Sequence, residues 1–190
     1  MRYVYCPICG AKLTTKAAGD DGQVPYCAAC GKYWFDTFSS VAIVMVVNEL
    51  GEIAMQKQHY LSDTYWTYVS GFMKPGETAE ETAVREVQEE LGLRIQRLEY
   101  AGTYWFALRE QLMHGFIGHV EKQDFVLSSE VDQAEWVPYE DAPARMFPKM
   151  PGNSQHPIYE QYVAQLRAAG SHEAPAAQPP EEKETHRLEE

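Results

Sequence analysis

Three glutamates on one face of a short helix constrain this chain more than any other feature of its sequence. Glu86, Glu89 and Glu90 are spaced i, i+3 and i+4, so their side chains fall within an arc of roughly 100° on a helix. Like charges at this spacing repel each other. A bound divalent cation would reverse the sign of that interaction, and ligands that are all oxygens suit Mg²⁺ or Mn²⁺. The alternative interpretation is a solvated acidic face with no ion.

The segment around these glutamates carries the signals of a complete helix. Thr78 and Glu81 fit a capping box at its start, and Gly92 is placed to end it in a left-handed conformation. An apolar stripe with a four-residue repeat predicts the buried face of this helix, formed by Ala79, Ala83, Val87 and Leu91.

Strands and helices are mixed along the rest of the chain. Residues 39–47 form a run typical of a buried strand, and residues 52–58 return as its hairpin partner after a turn signal. This order predicts an α/β chain with a mixed sheet. Further strands are predicted at residues 64–70, 97–106, 111–121 and 135–137, and a last helix at residues 157–168.

Two CxxC pairs near the N-terminus are separated by seventeen residues. This spacing is typical of a structural zinc site. A glycine follows each pair, which fits a tight turn, or knuckle, whose backbone amides point at the cysteine sulfur. Because cysteine fills all four ligand positions, we expect a closed, non-catalytic Zn²⁺ site rather than four ordinary buried cysteines. Without a secretory context, the thiols also indicate a reducing cytoplasm. The four ligands are Cys6, Cys9, Cys27 and Cys30.

Composition divides the chain into three parts. We predict a zinc ribbon at residues 1–35, a larger domain at residues 36–168 and a disordered tail at residues 169–190, which are rich in Ala, Pro and Glu. The net charge of −12 makes a nucleic acid partner unfavourable. The longest apolar run, residues 41–47, is far short of the ~20 residues that span a bilayer. No targeting segment is visible at the N-terminus.

The glutamate helix belongs to a longer pattern with nine constrained positions and no gap. This pattern resembles the Nudix box at each of those positions. The resemblance implies a Nudix α/β/α sandwich and hydrolysis of a diphosphate bond in a nucleotide. The positions are Gly71, Glu77 after five residues, Arg85-Glu86-Val87 after seven more, Glu89-Glu90 after one, and Gly92-Leu93 after one.

The Nudix resemblance also implies roles for single residues. Glu86, Glu89 and Glu90 would hold Mg²⁺ or Mn²⁺, and Glu90 or Glu89 would help to deprotonate the attacking water. Arg85 and Glu77 would pair and orient the helix. Such a site has a physical logic of its own, because cations neutralise an anionic diphosphate that a metal-free acidic helix would repel.

A zinc ribbon directly before a Nudix domain is similar to the NADH pyrophosphatase-like branch of the family. The box opening Gly71-Phe72 also resembles that branch, in which the phenylalanine stacks on adenine. Phe72 would otherwise be a hydrophobic anchor of its loop. Glu130 matches a further metal-binding acid of the branch, and its alternative is an exposed loop carboxylate.

Two motifs of that branch are altered here. Its NAD-specific motif, SQPWPFP, corresponds to residues 103–109, which read TYWFALR, and its YPR triplet is replaced by Trp34-Phe35-Asp36. The resemblance makes NAD(H), cleaved to NMN(H) and AMP, the leading substrate. Because these two motifs differ, ADP-ribose, FAD, dinucleoside polyphosphates and an NAD-capped RNA end stay open. A homodimer is expected from the resemblance only.

Two other classes of function remain as alternatives. The first is a Nudix module that senses a nucleotide without cleaving it, although such modules usually lose the carboxylates that are all present here. The second is a zinc-ribbon adaptor for nucleic acid or protein, against which the ribbon offers no dense basic stripe.

Overall fold

The computed structural model describes residues 3–170 of the chain. Its N-terminal part is a three-stranded antiparallel sheet in the order β1 (Thr14–Ala17), β2 (Gln23–Cys27) and β3 (Lys32–Tyr33). The first CxxC pair lies at a turn before β1, and the second starts at Cys27, the last residue of β2, and continues into the turn that follows. This arrangement is compatible with the zinc ribbon predicted from the cysteine spacing.

A six-stranded sheet forms the centre of the rest of the chain. Its order is β7-β8-β4-β5-β9, and β6 pairs with the first half of β4. The β4–β8 pairing is parallel and all other pairings are antiparallel, which confirms a mixed sheet. The strands are β4 (Ser39–Asn48), β5 (Glu52–Lys57), β6 (Val69–Phe72), β7 (Arg97–Phe106), β8 (Gln111–Val120) and β9 (Gln133–Pro138).

Two helices cover opposite faces of this sheet, α1 (Ala79–Leu91) and α2 (Gln155–Gly170). Because side chains alternate along a strand, β4 supplies both cores. Ile43 packs in the cluster that includes Ile158 of α2, and Val44 packs in the cluster that includes Leu91 of α1. Each fully buried aliphatic side chain contributes roughly 2 kcal/mol. The α/β/α sandwich is thus confirmed.

Both ends of α1 form as the sequence predicts. The Thr78 side chain accepts a hydrogen bond from the backbone N–H of Glu81 at 3.2 Å, and the Glu81 carboxylate accepts one from the N–H of Thr78 at 2.8 Å. Gly92 adopts a φ of 71° and donates its N–H to the carbonyl of Gln88 at 3.1 Å. These contacts satisfy backbone groups that a helix end would leave free.

The strand predicted at residues 64–70 is wrong in its extent. Thr67 and Trp66 make only isolated bridges, to Gln56 and Met146. The strand that joins the sheet is β6, displaced toward the C-terminus. Aromatic and β-branched residues favour a strand locally, but the free edge of β4 lies beside Gly71 and Phe72, and that edge decides the pairing.

The predicted helix at residues 157–168 begins two residues earlier and ends two residues later, as α2. The first two positions of the predicted disordered tail therefore belong to α2, and residues 171–190 lie outside the described residues. The division of the chain at residues 35 and 36 stays a prediction. Within residues 3–170, no helix is long and apolar enough to cross a membrane.

Candidate active site

The guanidinium of Arg85 is the centre of the charged network on α1. Its Nε and Nη2 donate to the two carboxylate oxygens of Glu77 at 2.7 and 2.9 Å. Its Nη1 donates to Glu86 at 2.6 Å and to Glu89 at 2.9 Å, and Nη2 also donates to the carbonyl of Phe72 at 3.1 Å. Arg85 thus joins the helix to the segment before it, which only a planar fork of donors can do.

This network fixes the charges of its two central members. The Arg85 guanidinium, aided by the backbone N–H of Lys74, lowers the pKa of Glu77 to about 2. Hydrogen bonds from Arg85, first to Glu77 and then to Glu86 and Glu89, raise the pKa of Arg85 above its usual value. Glu77 therefore stays ionised at neutral pH, and the pair persists across the physiological range.

Glu90 lies in a different environment from the other acids of the helix. It is only 4% exposed, and its carboxylate accepts hydrogen bonds from Gln56 Nε2 at 2.6 Å and Gln58 Nε2 at 3.0 Å. Burial raises the pKa of Glu90 to about 7, although the two glutamines lower it in part. Among the described residues, the Gln56 Oε1 atom has no hydrogen-bond partner.

Three of the four box glutamates, Glu86, Glu89 and Glu90, line one cavity of about 410 Å³, and Glu77 is not part of its lining. Glu130 reaches the same cavity from the loop after β8, which is tied to α1 by a hydrogen bond from the Ser128 N–H to the carbonyl of Glu90 at 3.2 Å. Phe72 is 57% exposed there, so its ring is not a buried anchor of the loop. The predicted residues gathered at this cavity are Gly71, Phe72, Arg85, Glu86, Glu89, Glu90 and Glu130.

These carboxylates do not converge on one point. Within residues 3–170, only the four cysteines form a group of three or more potential ligand residues whose atoms all lie within 4.8 Å of one another. Glu86 and Glu89 are bound to Arg85 instead, and Glu90 is bound to glutamines. Their oxygen chemistry fits Mg²⁺ or Mn²⁺, and joint ligation requires side-chain rotation.

The cysteine group fits a zinc ion without rearrangement of its backbone. Sulfur atoms of Cys6 and Cys30 are 3.9 Å apart, and those of Cys9 and Cys27 are 3.6 Å apart. Four thiolates this close repel one another unless a cation lies between them. The knuckle glycines Gly10 and Gly31 have φ values of 71° and 69°, and the N–H of Cys30 donates to Cys27 Sγ at 3.3 Å.

Several residues at the cavity or in contact with its acids were not identified from the sequence. Gln56 on β5 and Gln58 directly after its end both donate to Glu90 of α1. Two alternating glutamines after the apolar run at residues 53–55 were the available signal. Lys74 lies 3.8 Å from Glu89. Tyr60 and Arg109 also line the cavity, and no sequence pattern distinguishes them from ordinary loop residues.

A family model described as NUDIX domain matches residues 36–161 of this chain. That span contains all of α1 and every residue of the carboxylate cavity, and it ends within α2. It leaves the cysteine ribbon outside the match.

Several curated proteins similar to this chain carry the same name. NAD-capped RNA hydrolase NudC of Pseudomonas aeruginosa (strain LESB58) is 29% identical over 133 residues, which are 70% of this chain and 46% of that protein. The protein of the same name from Escherichia coli O9:H4 (strain HS) is 26% identical over 165 residues, or 86% of this chain and 62% of that protein. The chain spans about half the length of the curated relatives it matches.

Solved structures share the fold at low identity. A NUDIX hydrolase from Nitrosomonas europaea superposes with a TM-score of 0.66 and 18% identity, covering 87% of this chain and 93% of that one. The NUDIX domain of Shewanella oneidensis NrtR, complexed with ADP ribose, gives a TM-score of 0.55 and 14% identity over 76% of this chain and 93% of that one. These matches agree with the α/β/α sandwich described above.

Proposed function

The chain belongs to the Nudix family, and from this premise we propose that it is a divalent-metal-dependent hydrolase that cleaves the diphosphate bond of a nucleotide, with NAD(H) as its main substrate. The observation that carries the proposal is that Glu86, Glu89, Glu90 and Glu130 all line a single cavity. A sensing module that had lost hydrolysis would not need all four carboxylates in one place.

The acids would hold Mg²⁺ or Mn²⁺. When bound, these cations neutralise the diphosphate and lower the pKa of the attacking water. Arg85, paired with Glu77, holds the glutamate helix at a fixed position beside the end of β6 at Phe72. This geometry supports precise positioning of the substrate against the helix.

The reaction replaces one P–O bond with another and needs one group that accepts a proton from water. Water oxygen attacks one phosphorus of the diphosphate, the bond from that phosphorus to the bridging oxygen breaks, and the bridging oxygen leaves on the other mononucleotide. Glu89 or Glu90 would accept the water proton. Glu90 is the more enclosed of the two and is oriented by Gln56 and Gln58, whereas Glu89 is half exposed.

An NAD-type substrate is supported by the relatives and by one side chain. The curated relatives are named for hydrolysis of NAD-capped RNA, which contains the same nicotinamide–adenine diphosphate unit. Phe72 presents an exposed ring at the cavity, as stacking on adenine requires. The net charge of −12 favours the small dinucleotide over a long RNA chain.

The remaining parts of the proposal follow from the ribbon and the resemblance. The cysteine ribbon would bind one structural Zn²⁺. Its four thiols are free of disulfides, and we place the enzyme in the cytoplasm on that ground. The homodimer rests on family resemblance and stays a prediction.

A substrate panel with Mg²⁺ or Mn²⁺, analysed by product mass, tests this function. NADH should yield NMNH and AMP faster than ADP-ribose, FAD, a diadenosine polyphosphate or an NAD-capped RNA is cleaved. Glu89→Gln and Glu90→Gln should lower the rate by about 10²-fold or more, while Glu80→Gln, at an exposed position of the same helix, should not. Folded, zinc-loaded protein that turns over no diphosphate would refute the hydrolase and favour the sensing module.

A further inference from the structure

A second cavity opens beside the carboxylate cavity. It measures about 210 Å³ and is mainly apolar, with Phe106, Met113 and Phe147 in its walls. The two cavities share part of their lining, including Arg109 and Gln111. A ligand that occupies both cavities therefore lies along this shared wall, in which Arg109 is the one positively charged side chain among the described residues.

The backbone explains why Arg109 reaches this junction. Residues Ala107–Arg109 form a short 3-10 turn between β7 and β8. Glu110 then adopts a left-handed conformation with φ 49°, and β8 begins at Gln111, opposite Ser39 of β4. The turn thus lies at the end of the sheet where β6 meets the start of β4 and carries Phe72 to the cavity.

Arg109 is an exposed guanidinium that makes no hydrogen bond or ion pair within residues 3–170. In contrast, Arg85 binds three carboxylates, and Arg97 and Arg145 each bind one. Tyr60, which lines the same cavity, is affected both by the acids and by Arg109. Burial, followed by Glu90 and Glu130, raises the pKa of Tyr60, while Arg109 lowers it.

We propose that Arg109 binds the diphosphate of the substrate and makes affinity depend on its negative charge, an assignment that rests on the proposed function. A guanidinium matches phosphate oxygens with paired donors. In a dinucleotide the charged diphosphate lies between two nucleosides, and Arg109 lies between two cavities. Cations on the carboxylates and Arg109 would then contact the same diphosphate.

Equilibrium binding of a ligand that cannot be hydrolysed tests this assignment. The probe is the methylene-bridged analogue of ADP, titrated with Mg²⁺ into the zinc-loaded protein by calorimetry, together with AMP and adenosine. Arg109→Gln should weaken binding of the analogue by about 10-fold or more, as expected for loss of a charge-assisted contact. Arg109→Lys should lose less because it keeps the charge. The loss should shrink for AMP and vanish for adenosine.

Arg94→Gln is the matched control. Arg94 is also exposed and unpaired among the described residues, but it lines neither of the two cavities. Its variant removes the same charge and should bind the analogue like the wild type. Equal affinity in Arg109→Gln and Arg94→Gln, or an equal loss for adenosine and the analogue, would overturn the role of Arg109.

The same titrations separate the two proposals. If the wild type binds the analogue more tightly than Arg109→Gln does but cleaves no diphosphate, the proposed hydrolase activity is wrong and the role of Arg109 is supported. A wild type that cleaves NADH with a KM unchanged in Arg109→Gln would keep the hydrolase and remove Arg109 from substrate binding.

Discussion

Gly71 lies directly against the carboxylate of Glu86. A Cβ atom built at position 71 would be 1.9 Å from Glu86 Cδ and 2.0 Å from Oε1, distances that no pair of unbonded heavy atoms adopts. Strand β6 and helix α1 can therefore lie this close together only because residue 71 has no side chain. The first glycine of the box and Glu86, which we propose as a metal ligand, therefore form one contact.

Gly71→Ala should lower kcat/KM by about 10²-fold, because the new methyl group displaces Glu86 from the cavity. Steady-state hydrolysis of NADH with Mg²⁺ measures the effect. Gly118→Ala is the control, since the nearest atoms to a methyl group there belong to the side chains of Ile95 and Val44, at 3.1 Å, and none of these residues lines the cavity. An alanine at position 71 that leaves the rate unchanged would show that the position of Glu86 is unimportant.

Arg85→Lys should lower kcat/KM by about 10- to 100-fold, although it keeps the charge. A lysine cannot bind Glu77 through two parallel donors and reach Glu86, Glu89 and the Phe72 carbonyl as well. Arg97→Lys serves as the control on the exposed end of β7. Equal rates for Arg85→Lys and wild type would show that this network contributes no more to activity than an ordinary surface ion pair.

The glutamate helix could be predicted nearly in full from the sequence, because its signals are local. The capping box at Thr78, the αL residue at Gly92 and the stripe containing Val87 each depend on neighbours within a few positions, and all three are present. The extent of β6 could not be predicted, since it depends on which edge of β4 is free. That is a property of the whole sheet.

Stability of the metal-free protein should depend on pH through Glu90. Burial holds its pKa at about 7 rather than 4.5, so the folded state retains a proton that the unfolded state loses as pH rises through this window. Stability therefore falls between pH ~4.5 and ~7, by about 3 kcal/mol at most. Residue 90 cannot ionise in Glu90→Gln. As pH rises over the same range, the free energy of unfolding of this variant should therefore increase relative to that of the wild type.

Urea unfolding in chelator at pH 4.5, 6 and 8 measures this difference. Glu80→Gln, exposed on α1, should track the wild type at each pH. If the Glu90→Gln and wild-type stabilities stay parallel from pH 4.5 to 8, burial does not disfavour the charged form of Glu90.

Cys27→Ser should remove most bound zinc and lower the melting temperature by at least about 5 °C, because a structural zinc site contributes folding free energy. Zinc content by atomic emission and a thermal scan measure both effects. Ala28→Ser adds a hydroxyl at the neighbouring exposed position and should retain zinc. Full zinc content and an unchanged melting temperature in Cys27→Ser would contradict the ribbon.

The sequence predicts which residues surround the cavity better than it predicts their partners. The box pattern identifies Glu90, but only packing against β5 shows that it is buried beside Gln56 and Gln58. Arg109 comes from a turn more than a dozen residues beyond the box, and its proximity to Glu90 depends on the parallel pairing of β4 with β8. Such long-range contacts leave no local sequence signal.

Anomalous diffraction from manganese-soaked crystals would show whether the glutamates of α1 hold divalent cations in this cavity. Crystals soaked in Mn²⁺ should show an anomalous peak coordinated by carboxylate oxygens of Glu86, Glu89 or Glu90, and the peak should disappear in Glu86→Gln crystals. A cavity without a peak, with Glu86 and Glu89 still bound to Arg85, would contradict the account.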